Sequence, residues 1–260
     1  MYFYIYDSFL SEKRYEKQVN EIEIRLANLG ITGKKIRFSI LKSISDIIKE
    51  SLRDKNPTVV IVGSDETFIQ AAIPMANQKA VLGFIPTQSN SAMAHILGLP
   101  TNEFACDVIS SRRIEDVSLG MINGQHFFSS LEFNPTQTRL ICDEQYQINP
   151  TGINLTKVIN LDFLQFKKMS QDPDFKKTVS DPKDNYLEVL LGNSGKDFLF
   201  IKGKDKKDSL FFVKKLRVES KKEGDEVFIK VDQNKVVKTP AIIEIAPQVL
   251  KLIVGKDRLI

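Results

Sequence analysis

The sequence predicts an α/β unit built on a parallel sheet, followed by an antiparallel β unit that forms a sandwich. Over the first hundred residues, short and fully apolar runs alternate with segments whose apolar residues recur at helical spacing. That is the pattern of a parallel sheet covered on both faces. Near residue 115 the rhythm stops, and strand-length segments follow, separated by linkers rich in Lys, Asp, Gly and Pro.

Taken in order, residues 2–6 form a short aromatic and β-branched run that reads as a strand. Across residues 12–29, Tyr15, Val19, Ile22, Leu26 and Leu29 recur at helical spacing, and Gly30 suits the stop. Residues 35–38 fit a second strand. Ile44, Ile47, Ile48 and Leu52 then line one face of a second helix, with Ser43 as its N-cap. Residues 59–62 give a third strand. Phe68, Ile69, Ala72, Ile73 and Ala76 form the face of a third helix beginning near Glu66, and residues 81–85 a fourth strand. Ligands of such sheets bind beyond the carboxyl ends of the strands, which points to the turns after Val62 and Ile85. In the second half, residues 117–122 and 125–131 flank Asn123-Gly124, a strong hairpin signal because both residues tolerate positive φ. Further strands are expected at 157–163, 186–191, 198–201, 210–213, 227–231 and 242–245.

Composition narrows the function classes. At 260 residues and 42% apolar, the chain can bury a substantial core. Its net charge is +4; residues 1–150 carry 15 basic and 17 acidic groups, and residues 151–260 carry 22 and 16. No dense basic stripe with interleaved aromatics is present, so a dedicated nucleic-acid binder is not expected. Cys106 and Cys142 form no CxxC pair, and with His95 and His126 as the only histidines no zinc set is available. A reducing cytoplasm is the expected compartment. Residues 1–10 lack a basic leader and a cleavage site, and no apolar run approaches the ~20 residues that span a bilayer. Membrane contact is therefore expected to be peripheral at most.

The most informative stretch is Val-Val-Ile-Val-Gly-Ser-Asp-Glu-Thr at 59–67. A buried strand turning into a helix N-terminus presents orphan N–H groups and a dipole that favour an anion such as phosphate. Asp65 adds a metal-facing carboxylate and Thr67 a hydroxyl donor. Both residue types also serve simply as helix caps. The two readings stand side by side on this segment alone.

Three further segments add to it. In this order and spacing they resemble the diacylglycerol kinase catalytic family, grouped with lipid, sphingosine and NAD kinases. The family's Gly-Gly-Asp-Gly-Thr loop is matched by Gly63-Ser64-Asp65-Glu66-Thr67. Its Ile-Pro-Leu-Gly-Thr-Gly-Asn-Asp loop is matched from Ile85 through Ala92, and its Leu-Gly-x-x-Asn-Gly-x-x-Phe hairpin from Leu119 through Phe127. Its Val-Asp-Gly-Glu segment is matched by Val231-Asp232-Gln233-Asn234, followed by Pro247 and an apolar stretch. The resemblance implies a Rossmann-like α/β nucleotide domain over 1–114, a β-sandwich domain over 115–246, and a segment 247–260 returning to the first domain. It also implies an active-site cleft between the domains.

The resemblance further implies transfer of a phosphoryl group from ATP, with Mg2+, to a hydroxyl of diacylglycerol or a related lipid alcohol in phospholipid metabolism. Nucleotide contacts fall on Asp7, Ser8, Ser39, Gly63, Ser64, Asp65, Glu66, Thr67, Ser89 and Asn90. Metal ligation falls on Asp65 and Asp232, and catalysis on Asp232 with Asn234. Departures from the family pattern bear on activity. Ser64 and Glu66 replace two glycines that let backbone N–H groups approach phosphate. Ser91 and Ala92 replace Asn-Asp, and Asn234 replaces a Glu, losing a group that could take a proton near neutral pH. A catalytically degenerate homologue that binds nucleotide, lipid or protein is the competing reading; kinase action on NAD fits the C-terminal segment less well. The lysine-rich back half, including Lys202, Lys204, Lys206, Lys207, Lys214, Lys215, Lys221 and Lys222, allows contact with anionic headgroups at the inner membrane face. Solubilising exposed loops and strand edges is the favoured role for these lysines. The sequence leaves the oligomeric state and the donor nucleotide open.

Overall fold

In the computed structural model, which describes residues 1–38, 43–161, 180–192, 209–232 and 235–260, the apolar runs of the first hundred residues become a parallel sheet. Strand β1 (Tyr2–Tyr6) lies between β2 (Lys34–Arg37) and β3 (Thr58–Gly63), and β3 pairs in parallel with β4 (Val81–Pro86). The register sets Tyr6 beside Val62, and Gly63 beside Pro86. The carboxyl ends of β1, β3 and β4 are thus level, and Asp7, Ser64 and Thr87 leave the sheet at one edge.

Both faces of that sheet are covered, as the unbroken apolar runs require. Helices α1 (Glu16–Asn28), α2 (Ile44–Ser51), α3 (Asp65–Met75), α4 (Ala92–Leu97) and α5 (Ala105–Ser111) connect the strands. Side chains alternate across a strand, so Tyr4, Tyr6, Val60, Val62 and Ile85 share a face. They pack there with Val19, Ile22 and Leu26 of α1 and Ala105, Cys106 and Ile109 of α5. On the other face the Phe84 ring meets Phe68 of α3 at 4.8 Å. Val59, Val60, Ile61 and Val62 are completely buried, each contributing roughly 1.5–3 kcal/mol. Ser43 caps α2 by accepting from Asp46 N, and Gly30 takes φ 68 past the end of α1.

The described residues fall into two units, one holding 1–117 and 248–260, the other drawn from 118–247. In the second unit the hairpin of β5 (Ile114–Ile122) and β6 (Gln125–Phe127) turns at Asn123 and Gly124, with φ 47 and 78. Strand β7 (Ser130–Phe133) follows, then β8 (Thr138–Cys142), β9 (Tyr146–Ile148), β10 (Leu155–Ile159), β11 (Leu187–Gly192) and β12 (Ser209–Val213). Last come β13 (Lys215–Ser220), β14 (Phe228–Val231), β15 (Lys235–Lys238) and β16 (Ala241–Ile253). One antiparallel sheet runs β12-β11-β10-β7-β14-β15, while β9, β8, β13 and the front of β16 pair separately. Leu131, Val158, Val189 and Ile229 of the first group share one core with Leu140, Leu216, Val218 and Ile243 of the second. The rear of β16 pairs in parallel with β4, Leu252 beside Leu82.

Several boundaries differ from the sequence expectation. The helix read from residue 12 opens with a 3-10 turn, Lys13–Tyr15, and α1 starts at Glu16. The third helix begins at Asp65 because Ser64 caps it. Residues 125–131 do not form one strand; the ladder breaks at Phe128 and Ser129, whose N–H groups turn to Asp232. The strand expected at 242–245 extends through Pro247 to Ile253. Pro lacks an N–H, and Pro247 falls between the stretch registered with β13 and the residue registered with β4. The strand expected at 198–201 lies outside the described residues.

Candidate functional site

The turn after β3 is organised around one carboxylate. Asp7, which follows β1 and is 6% exposed, is held in register by its own N–H donating to Val62 O at 2.9 Å. Its Oδ2 accepts from the Ser64 hydroxyl at 2.7 Å, the Ser64 N–H at 3.3 Å and the Thr67 hydroxyl at 2.6 Å. Ser64 Oγ in turn accepts from Thr67 N at 3.4 Å, the N-cap bond of α3. A Cβ at Gly63 would come within 2.5 Å of Asp7 Cβ and 2.9 Å of Oδ2. Glycine is needed at 63 so that this carboxylate can approach.

Asp65 turns the other way. Its Oδ2 accepts from Ala92 N at 2.9 Å and Met93 N at 3.4 Å, and its Oδ1 from the Ser91 hydroxyl. Ser91 caps α4 by accepting from Ala94 N at 2.8 Å. Asp65 thus ties the β3–α3 turn to the start of α4, and Thr87 N donating to Gly63 O at 3.0 Å adds a second tie. Ser89 and Asn90 are exposed in the turn ahead of Ser91, and Ser8 is exposed at the head of a 3-10 turn. Glu66 is exposed on the first turn of α3, where Gln70 Nε2 donates to it at 3.4 Å. Ser39 lies outside the described residues. Sequence reasoning missed two contributors: Ser91, and Gln18 of α1, which donates to Thr87 O at 3.0 Å. The hydroxyl ahead of a short apolar segment was the available signal for Ser91; Gln18 had none.

In the second unit Asp232 has φ 46 and a carboxylate enclosed by backbone. It accepts from Phe128 N at 2.8 Å, Ser129 N at 2.7 Å and Ser130 N at 3.2 Å, and its own N–H donates to Ser130 O at 3.0 Å. Burial raises its pKa above the ordinary carboxyl value, against the pull of those three N–H groups and Lys235. Asn234 lies outside the described residues. His95 is exposed on α4, and burial lowers the pKa of His126.

Of the lysines in the back half, Lys202, Lys204, Lys206 and Lys207 lie outside the described residues. Lys215 pairs with Glu144 at 3.4 Å, the Lys214 ammonium sits over Tyr186, and Lys221 Nζ donates to Thr136 O. A surface depression of about 410 Å³ in this unit is lined by Asp143, Glu144, Gln145, Tyr186, Lys214 and Lys215, none of them an expected site residue.

Among the described residues, no three or more His, Cys, Asp or Glu side chains gather as a metal cage. A kinase-type magnesium ion asks for less: one or two protein carboxylates, with phosphate oxygens and water completing the octahedron. Asp65 and Asp232 spend their oxygens on N–H and O–H donors. Exposed Glu66, beside the start of α3, has the hard-oxygen chemistry that magnesium takes.

No family model and no curated protein sequence matches the chain. Solved structures do match. A diacylglycerol kinase from Bacillus anthracis str. Sterne is similar at 18% identity and TM-score 0.76, over 98% of this chain and 97% of that one. Two more structures from the same organism carry that designation provisionally. They match at 17% identity with TM-scores of 0.78 and 0.75, again over 98% of this chain. The chain therefore has the fold of these diacylglycerol kinases along essentially its whole length, an α/β unit plus a β unit, as the motif resemblance implied.

Proposed function

We propose that this protein is a lipid kinase-like phosphotransferase that takes its phosphoryl group from ATP at the carboxyl edge of the parallel sheet and passes it to a lipid alcohol such as diacylglycerol. The observation behind this reading is the joining of the Gly63–Thr67 turn to the start of α4 through Asp65. The two segments that resemble the family's phosphate loops are adjacent and mutually braced. Phosphoryl transfer asks for positioning and charge neutralisation more than for covalent chemistry, and a braced pair of turns supplies positioning.

In this reading Gly63, Ser64 and Thr67 shape the donor turn, while Ser89 and Asn90 offer exposed polar contacts beside it. Ser8 belongs to the same edge. Glu66 is the residue that would hold magnesium, and Asp65 ties the turn to the start of α4. Magnesium held there would supply neutralisation of the charge on the transferring group. Three carboxylates, Asp7, Asp65 and Glu66, crowd the turn. Each unit charge ~4 Å from a phosphate repels it by about 1 kcal/mol in water-like surroundings and about 4 at a surface-like dielectric. Nucleotide binding here depends on the divalent cation. Asp232 positions the 128–130 turn, and the lysines serve chiefly to keep strand edges soluble.

The degenerate, purely binding reading has one observation in its favour: the donors at the start of α3 are already held by Asp7. Incubating the protein with radiolabelled ATP, magnesium and a mixed lipid extract separates the two. Labelled lipid that disappears in Glu66→Gln supports transfer. Absence of labelled product at high enzyme concentration, with ATP still raising the melting temperature, rejects it in favour of a binding module.

A further inference from the structure

We infer that residues 254–259 are a positioning strap, with Arg258 as its latch: they hold the far end of α4 and so fix where its first turn meets Asp65 at the candidate donor site. The consequence for nucleotide binding rests on the donor-site reading proposed above. The strap itself stands on its own contacts.

Helix α4 has six residues, too few to persist on its own hydrogen bonds. Its last four carbonyls have no partner within the helix, yet all four are taken. Leu99 N donates to Ala94 O at 2.8 Å and Gly98 N to His95 O at 3.2 Å, the local closure that Gly98 allows at φ 64. The other two are satisfied from the strap: Gly255 N donates to Leu97 O at 2.7 Å, and Leu259 N to Ile96 O at 2.9 Å.

The two backbones meet closely. A Cβ at Gly255 would fall 1.8 Å from Gly98 O, and one at Gly98 would fall 2.5 Å from Arg258 N. The strap also has anchors away from α4. Val254 N donates to Arg113 O at 2.9 Å, and Arg258 Nη2 pairs with Glu115 at 2.5 Å, their side chains only 26% and 21% exposed. A pair so covered is screened less by salt than one in open solvent. At the opposite end of α4, Ala92 N and Met93 N donate to Asp65 Oδ2. At ~1.5 Å per residue the helix is only about 9 Å long, so a displacement at Leu97 is carried to Ala92. Ile96 and Leu97 are also fully buried. If that packing alone set the helix, loosening the strap would leave the first turn where it is.

Two substitutions in the full chain loosen the strap by different means. Gly255→Ala drives a methyl group against Gly98 O, and Arg258→Gln removes the charge that pairs with Glu115. Amide hydrogen exchange is followed at Ala92 and Met93, with Val60 and Ile61 in the middle of β3 as controls. Both variants should speed exchange at Ala92 and Met93 by about tenfold while the controls keep the wild-type rate. Reversing the pair, Arg258→Glu with Glu115→Arg, should return the rate toward wild type. ATP with magnesium should bind the loosened variants more weakly by about threefold to tenfold. If Gly255→Ala fails to fold, Arg258→Gln decides alone. Unchanged exchange at Ala92 and Met93, an equal rise at Val60 and Ile61, or no recovery in the reversed pair overturns the strap. Unaltered ATP affinity in a variant whose α4 has loosened overturns its positioning role. Failure of the nucleotide reading looks different: wild type ignores ATP with magnesium, yet exchange at Ala92 and Met93 still responds to the strap.

Discussion

Removing the Asp232 carboxylate tests whether that residue clasps the 128–130 turn. Its three backbone bonds, at 2.8, 2.7 and 3.2 Å, have a charged acceptor and lie in a buried setting. Hydrogen bonds to a charged group contribute about 1.5–3 kcal/mol each, and removing one partner of a buried charged set costs about 3–5 kcal/mol in total. Ala also resists the left-handed backbone at φ 46, adding about 1 kcal/mol. Asp232→Ala should therefore lose about 4–6 kcal/mol. Asp232→Asn tolerates that backbone and keeps one accepting oxygen, so it should lose about half as much, and Asp232→Gly should fall between. Urea unfolding by circular dichroism gives the totals, and amide exchange at Phe128, Ser129 and Ser130 gives the local effect. Losses under about 1 kcal/mol in Asp232→Ala, with protection at 128–130 unchanged, would refute the clasp.

The pH dependence has a definite sign. Because burial raises the folded-state pKa of Asp232, its protonated form is favoured by folding. Its contribution is complete below the unfolded carboxyl value and declines as pH rises through the raised value. The stability difference between wild type and Asp232→Asn should shrink over that window and stay level toward neutrality.

Three other outcomes follow from single contacts. In a double-mutant cycle, Asp65→Ala and Ser91→Ala should couple by about 0.5–3 kcal/mol, read by urea unfolding, and additive losses would deny the tie between the two turns. Burial raises the Cys106 thiol to about 12 and the Cys142 thiol to about 11. Neither should react with a thiol reagent at pH 8 in the native state, and both should do so in urea; the same shifts predict stability lost as pH rises above the unfolded thiol range toward those values. A Cβ at position 120 would fall 1.9 Å from the Phe127 ring, so Gly120→Ala should destabilise the hairpin by about 1–3 kcal/mol. Phe127→Leu in the same chain should recover part of that loss, as a melting curve would report.

Much of the first unit was legible because its strands are uniformly apolar and its helices carry local stop signals. Ser43, Gly30 and Asn123-Gly124 act within a few residues of themselves, so spacing alone reveals them. The strands that sequence reasoning passed over are of another kind. Residues 215–220 read Lys-Leu-Arg-Val-Glu-Ser, and their ion pairs, such as Arg217 with Glu144 at 3.3 Å, exist only after folding. The site shows the same division. The turn after Val62 was visible as a strand running into a helix, but Asp7 and Ser64 are 57 residues apart and Asp232 and Phe128 are 104 apart. No local pattern says that a carboxylate from one strand end will settle on donors from another. The bonds that Asp65 accepts from Ser91 and Ala92 at the start of α4 join residues 26 and 27 apart, and its loop alone gave no sign of them.

Titration calorimetry of ATP into the wild-type protein and Glu66→Gln, each with magnesium and with chelator, tests the central claim most directly. Heat of binding in the wild type with magnesium, and its loss both in chelator and in Glu66→Gln, is the predicted result. Flat traces for wild type with magnesium at millimolar ATP, or binding equally strong in chelator, would contradict it.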